Sequence, residues 1–130
     1  MSNLNKNKSL TDGRKELGRK AEQAACDYLQ AQGYTLLERN WSCRSGEIDL
    51  IAFCEDTIVI VEVRSRSRKA AAFGTPEESV TARKIKQVRD TAAVYLHLSG
   101  QSEANVRFDV IAVTYGAAGE LDINHIEAAF

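Results

Sequence analysis

At 130 residues the chain fits one domain, because two cores in a chain this short would each be too small to offset the entropy of ordering it. Hydrophobic residues at 44% and charged residues at 27% exclude a disordered chain, and three cysteines with no C-x-x-C spacing argue against a disulfide framework or a structural zinc site. The net charge of −1 conceals a division, since sixteen of the seventeen Lys and Arg residues precede position 90 and the last thirty residues set five acids against Arg107 alone.

Residues 1–12 are rich in Asn, Ser and Lys without periodicity and read as a flexible arm, leaving 13–130 as the domain. No apolar run there has signal-peptide length, and nothing later is long enough to span a bilayer, so the expected location is cytoplasmic with no membrane partner. From Arg14 to Gln32, Leu17, Ala21, Ala24, Ala25, Tyr28 and Leu29 form a helical stripe, and Gly33 stands at the C-cap position.

Tyr34–Trp41, Glu47–Cys54 and Thr57–Arg64 read as three short strands joined by hairpins, the second across Glu55-Asp56. Arg64–Gly74 reads as a basic loop. Thr75-Pro76-Glu77-Glu78 carries the signature of a helix start, with Thr75 as N-cap and Glu78 closing a capping box, and a helix is expected to run from there to about Leu98. Its buried stripe would be Val80, Val88, Thr91, Ala92 and Tyr95. Asn105–Thr114 and Leu121–Ile126 complete the strands. The order predicts an α/β fold: a mixed β-sheet flanked by helices in three layers, with the third and fourth strands parallel through a right-handed crossover.

Pairing the second and third strands symmetrically about Glu55-Asp56 sets Asp49 opposite Glu62 on one face. Two carboxylates ~5 Å apart repel by roughly 3 kcal/mol at an effective dielectric of about 20, so a shared proton, a basic neighbour or a divalent cation has to offset them. The cation reading makes the pair a hard-metal site for Mg²⁺ or Mn²⁺; the alternative is a structural salt bridge from Arg64 to either acid. Glu22 borders the stripe of the first helix, and Lys84 lies inside the stripe of the second, four residues from both Val80 and Val88. Taken alone, Glu22 reads as a solvated helix acid and Lys84 as a side chain that snorkels; together they converge on the carboxylates. Arg66, Arg68 and Lys69, with Arg14 and Lys15, are candidate phosphate contacts, against the plainer reading of a solvated loop. A zinc site from Cys43, Cys54, His97 and His125 lacks ligand spacing; His97 suits the helix dipole, and Trp41 and Phe108 suit the core.

GRKAEQAACDYL (18–29), SGEIDLIA (45–52), VEVRSRS (61–67), FGTPEESV (73–80) and RFDVIAV (107–113) resemble the YraN-like family of bacterial proteins, GEIDLIA being the most specific element. That family is similar to archaeal Holliday-junction resolvases of the PD-(D/E)XK, restriction-endonuclease-like superfamily. The resemblance implies an αβββαβ core, Asp49 and Glu62 as metal ligands, Glu22 as an additional acid, and Gly74 with Pro76 in a loop beside the site. It further implies a metal-dependent nuclease acting on DNA or RNA, with a homodimer by analogy to junction cleavage. The superfamily's E-x-K pattern would set lysine where this chain has Arg64, a guanidinium that stays charged and can only donate, so Lys84 is the candidate amine. The same departure supports the alternative expectation, a nucleic-acid-binding or assembly module on a nuclease fold without catalysis.

Overall fold

A computed structural model of the chain describes the backbone of residues 2–130 and the side chains of residues 15–130. The expectation of an arm over residues 1–12 and of a phosphate contact from Arg14 concerns side chains that lie outside those described. The first helix, α1, spans Ser2–Ala31 and so starts earlier than Arg14. Asn and Ser lower helix propensity without forbidding a helix, and a single Gly13 costs only about 1 kcal/mol. At the other end the expected cap is present: Gly33 has φ 93, and Tyr34 N donates to Leu29 O at 2.9 Å.

Strands β1 (Thr35–Cys43), β2 (Gly46–Cys54), β3 (Thr57–Ser67), β4 (Asn105–Tyr115) and β5 (Leu121–Ile126) form one sheet in the order β1-β2-β3-β4-β5. The β2–β3 hairpin has the expected register, from Cys54↔Thr57 to Leu50↔Val61, and Glu55 and Asp56 both take positive φ as a two-residue hairpin turn requires. β3 and β4 are parallel while the other pairs are antiparallel, which confirms the mixed sheet and the crossover between them.

Two differences concern the crossover. β3 continues past Arg64 because its ladder with β4 runs on to Ser67↔Tyr115, and Ser67 Oγ then accepts from Ala70 N to cap a short helix, α2 (Arg68–Ala71), where a loop was expected. The second long helix does not begin at Thr75. Pro76 opens a single 3-10 turn over Glu77–Ser79, closed by Ser79 Oγ donating to Pro76 O at 2.6 Å. The chain then extends through buried Val80 and re-enters a helix, α3 (Ala82–Leu98), capped by Thr81 Oγ1 accepting from Lys84 N. Two threonines can serve as N-cap in this stretch, and burial of Val80 between them separates the turn from the helix.

The core has two halves, one on each face of the sheet. Ala21, Ala25, Cys26 and Leu29 of α1 pack on Leu50, Ala52, Val59, Val61, Ile111 and Val113. Val88, Ala92 and Tyr95 of α3 pack on Ile48, Ile51, Ile58 and Ile60, with Trp41 and Phe108 at the edge. Of the expected first stripe Ala21, Ala25 and Leu29 are buried while Leu17, Ala24 and Tyr28 are half-buried; the second is buried throughout, although Val80 precedes α3, and the three-layer arrangement holds. Besides a register shift between Leu36 and Glu38 of β1, strand alternation breaks in β2: Ile48 and Ile51 lie on the same face although three residues apart, so the break falls at Asp49. Its opposite number on β1, Asn40, has a positive φ of 49.

Candidate carboxylate site

That break positions the site. Asp49 leaves the β2–β3 ladder after Leu50↔Val61, and its Oδ2 accepts from the Val63 backbone N at 2.8 Å, tying the carboxylate to the strand that carries Glu62. Glu62 is only 4% exposed and points to the α3 face with Ile58 and Ile60. Lys84 Nζ reaches Glu62 Oε2 at 3.5 Å from α3, and Arg64 Nη2 reaches the same oxygen at 3.6 Å. Lys84 thus takes the inward register that its place in the stripe required, and Arg64 makes the ion pair that the salt-bridge alternative required. Gly46, at the start of β2, lets α3 approach: a Cβ there would lie 2.7 Å from Gln87 Nε2.

Burial pushes the Glu62 carboxyl up, the neighbouring Asp49 carboxylate pushes it further, and Lys84 and Arg64 only partly oppose them, leaving it at about 8. The Asp49–Glu62 pair therefore holds on to a proton more strongly than two separate carboxylates would. Glu22 on α1 faces the same centre from the other layer, and its carboxyl is raised by burial and then by Asp49, against the pull of Arg39. Asn40 links it in: with its amide oriented to satisfy both neighbours, the nitrogen donates to Glu22 Oε1 at 2.7 Å and Glu47 Oε1 at 3.0 Å. Neither Asn40 nor Glu47 was singled out in the sequence. An Asn inside a strand, a conformationally unfavourable place for it, was the available signal.

The basic residues divide. Arg66 donates from Nη1 to Gly74 O at 2.9 Å and so ties the loop after α2 to β3. Buried Nε atoms of Arg64 and Arg66 have no protein acceptor. Arg68 is held by Asp122 at 2.7 Å and Glu120 at 3.8 Å, while Lys69 and Lys15 are exposed. Arg83 and Lys84 open α3 with no acid in its first turn, the reverse of what the helix dipole favours, and with Thr81 and Gln87 they line a cleft of about 360 Å³.

Comparison with known proteins places the chain. A model of the uncharacterised protein family UPF0102 matches residues 21–113, which include Glu22, Asp49, Glu62, Arg64 and Lys84. The chain belongs to this family, also called the YraN family. A UPF0102 protein of Pelotomaculum thermopropionicum is 42% identical over 122 residues, covering 93% of this chain and 100% of that one. Another, of Desulforamulus reducens, is 44% identical over 119 residues, covering 89% and 96%. A UPF0102 protein of Herpetosiphon aurantiacus is 39% identical over 123 residues, covering 92% and 97%. The match therefore takes in the carboxylates and the basic segment from Arg64 to Lys69 together.

The donor set suits a hard divalent cation. Among the described residues no three His, Cys, Asp or Glu side chains converge to hold a metal, so a cation here would have Asp49 and Glu62 as its protein ligands and complete its shell with water and phosphate oxygens. Mg²⁺ is commonly bound in that way, through one or two carboxylates and substrate phosphates. Among the described residues no helix is long and apolar enough to cross a membrane.

Proposed function

We propose that this UPF0102 protein is a metal-dependent nuclease-like protein that binds nucleic acid at the end of β3 and hydrolyses a phosphodiester there. The observation that carries the reading is buried Glu62 beside half-buried Asp49, with Lys84 and Arg64 at the Glu62 carboxyl: two acids and two cations gathered where strand alternation breaks. Buried charges are retained at a cost to stability, and a pair of acids costs most, so a binding role accounts for what packing alone does not.

A bound Mg²⁺ or Mn²⁺ would supply the Lewis acid for the phosphoryl oxygens and lower the pKa of a water. The chain's own part is to hold and to orient. Asp49 is fixed by the Val63 amide and Glu62 by its two cations. Lys84, on a rigid helix, can move its donors from Glu62 to a phosphate oxygen and steady the charge that develops there. Arg64 can do the same but cannot accept a proton. The basic first turn of α3 and Arg66 hold the phosphate backbone, which positions a strand without reading its sequence.

Calorimetric titration of Mn²⁺ into wild type, Asp49→Asn and Glu62→Gln, followed by cleavage assays on linear and branched DNA and RNA, tests this. The reading requires binding and cutting in wild type and a drop of about 100-fold or more in cutting in both variants. Lys84→Ala should lower cleavage by a factor on the order of 10 to 1,000, as loss of one charge-stabilising donor does. A second reading has its own observation: Glu62 already contacts two cations, and one of them, Arg64, stands where the superfamily pattern has lysine. A non-catalytic nucleic-acid-binding module would show salt-dependent affinity, no cutting in either metal, and no loss of affinity on Asp49→Asn.

A further inference from the structure

Phe73 is 85% exposed, whereas Trp41 and Phe108 pack against the core and Phe53 is exposed to 38%. An aromatic ring left so far in water requires either a partner or a reason. Its setting is ordered. Phe73 N donates to Ala70 O at 3.1 Å, Arg66 Nη1 holds Gly74 O at 2.9 Å, and Pro76 and Val80 are buried on the far side of the turn. The ring therefore projects from a loop pinned at both ends. It borders a cleft of about 360 Å³ whose other walls include Arg66, Thr75, Glu78 and Ser79, a size ordinary for a small planar ligand.

The loop is tied to the carboxylate site through β3, where Glu62, Arg64 and Arg66 alternate onto one face. Arg66 is four residues from Glu62, roughly 13 Å along the strand. A flat aromatic beside the Arg66 guanidinium, with hydroxyl and carboxylate edges around it, matches a nucleobase stacked on the ring while its phosphates run along β3 past Arg66 towards Arg64.

We propose that Phe73 is a stacking platform for one unpaired nucleobase, so that the protein prefers strands with unstacked bases to continuous duplex. This rests on the nucleic-acid reading of the carboxylate site and names the substrate class within it. A base inside a duplex is already stacked on both faces and cannot occupy the cleft. A single strand, a gap or an unpaired end can.

The test is fluorescence anisotropy with chelator present, so that no strand is cut, using single-stranded DNA and RNA, duplex DNA, and a single strand of the same length built of abasic nucleotides. Wild type should bind the base-bearing single strands about 5- to 100-fold more tightly than the abasic one, Phe73→Ala should lose that margin, and Phe73→Trp should keep it. Binding of the abasic strand should be unchanged by Phe73→Ala, and an unchanged melting temperature will show that the variant folds. If Phe73→Ala matches wild type on every strand, the stacking assignment falls while the carboxylate reading stands. If Phe73→Ala instead abolishes self-association and leaves nucleic-acid affinity intact, the ring belongs to a protein contact and the assignment also falls. Wild type that binds none of the strands overturns the nucleic-acid reading itself, and this inference with it.

Discussion

Glu62 on β3 and Asp109 on β4 are the two buried acids among the described residues, and they are neighbours in the sheet: Asp109 pairs with Val61, one residue before Glu62. They look out of opposite faces. Asp109 is fully buried yet saturated. His125 Nε2 lies 2.7 Å from its Oδ2, Arg107 donates to both oxygens at 2.9 and 2.8 Å, and Ala128 N donates at 3.0 Å. Burial pushes the Asp109 carboxyl up, but these bonds outweigh it and hold the group below its ordinary value. Glu62 has two cations at longer range, and its immediate neighbour is another acid that drives its pKa the other way. Burial alone therefore does not set Glu62 apart from Asp109. What the partners leave unsatisfied does.

The largest expected effect lies on the saturated side. Asp109→Asn removes the charge that Arg107 and His125 face and should destabilise the protein by roughly 3 kcal/mol or more, read by urea unfolding at pH 7. Tyr34 and Tyr28, which bond Arg107 and His125, would lose their anchor as well. If Asp109→Asn is as stable as wild type, the contrast between the two acids fails.

Glu62→Gln should have the opposite sign. The folded-state value of about 8 lies above the ordinary 4.5, so between those limits the folded protein binds more protons than the unfolded chain. Stability from this group is then present below pH 4.5 and lost as pH rises through 8. Glutamine removes that loss, so the variant should be more stable than wild type by roughly 1–3 kcal/mol near pH 9 and nearly equal to it near pH 5. Asp109, with its lowered value, should lose its contribution only in acid, as pH falls through its folded-state value. Parallel pH–stability curves for wild type and Glu62→Gln would show that Glu62 is not raised.

How much of this was legible in the sequence depends on the range of the interaction. The β2–β3 register followed from a two-residue turn, and the inward face of Lys84 from its spacing to Val88, because turns and helical periods are local, whereas Val80 lies before α3 and has no helical relation to Lys84. The break at Asp49 was not legible: it depends on Asn40 opposite, on another strand, and only there does the carboxylate turn to the Val63 amide. Residues from Tyr28 to His125 make the Asp109 cluster, so no window of sequence contains it. His125, considered as a zinc ligand from residue type, is instead bonded to Tyr28 and Asp109. Thr75 and Thr81 both suit an N-cap, and burial of Val80, a tertiary fact, decides between them.

Adding a cation sharpens the contrast further. Mn²⁺ at about ten times its dissociation constant should stabilise wild type by roughly 1.4 kcal/mol and leave Glu62→Gln much less affected. Because the Glu62 carboxyl is raised beside Asp49, cation binding to the pair should release protons, which calorimetry in buffers of different ionisation enthalpy would read. Asp109, already ionised and enclosed by donors, should contribute nothing. Proton release that persists in Glu62→Gln would place the cation elsewhere.

The smallest effect separates the two acids most finely. Lys84 is 31% exposed and lies 3.5 Å from Glu62, so Lys84→Met should change stability at pH 5 by no more than about 1 kcal/mol, as for other solvated ion pairs. Its consequence is on the pH axis. Lys84 holds the Glu62 carboxyl down, so without it the fall in stability should move to higher pH, and in a Glu62→Gln background the shift should vanish. The matching change opposite Asp109 is Arg107→Met. There His125 and the Ala128 amide remain as donors, so the acid-side midpoint should move less than the Glu62 midpoint moves in Lys84→Met. Equal displacements would mean that each acid depends on one cation to the same degree, and saturation by several donors would no longer distinguish Asp109 from Glu62.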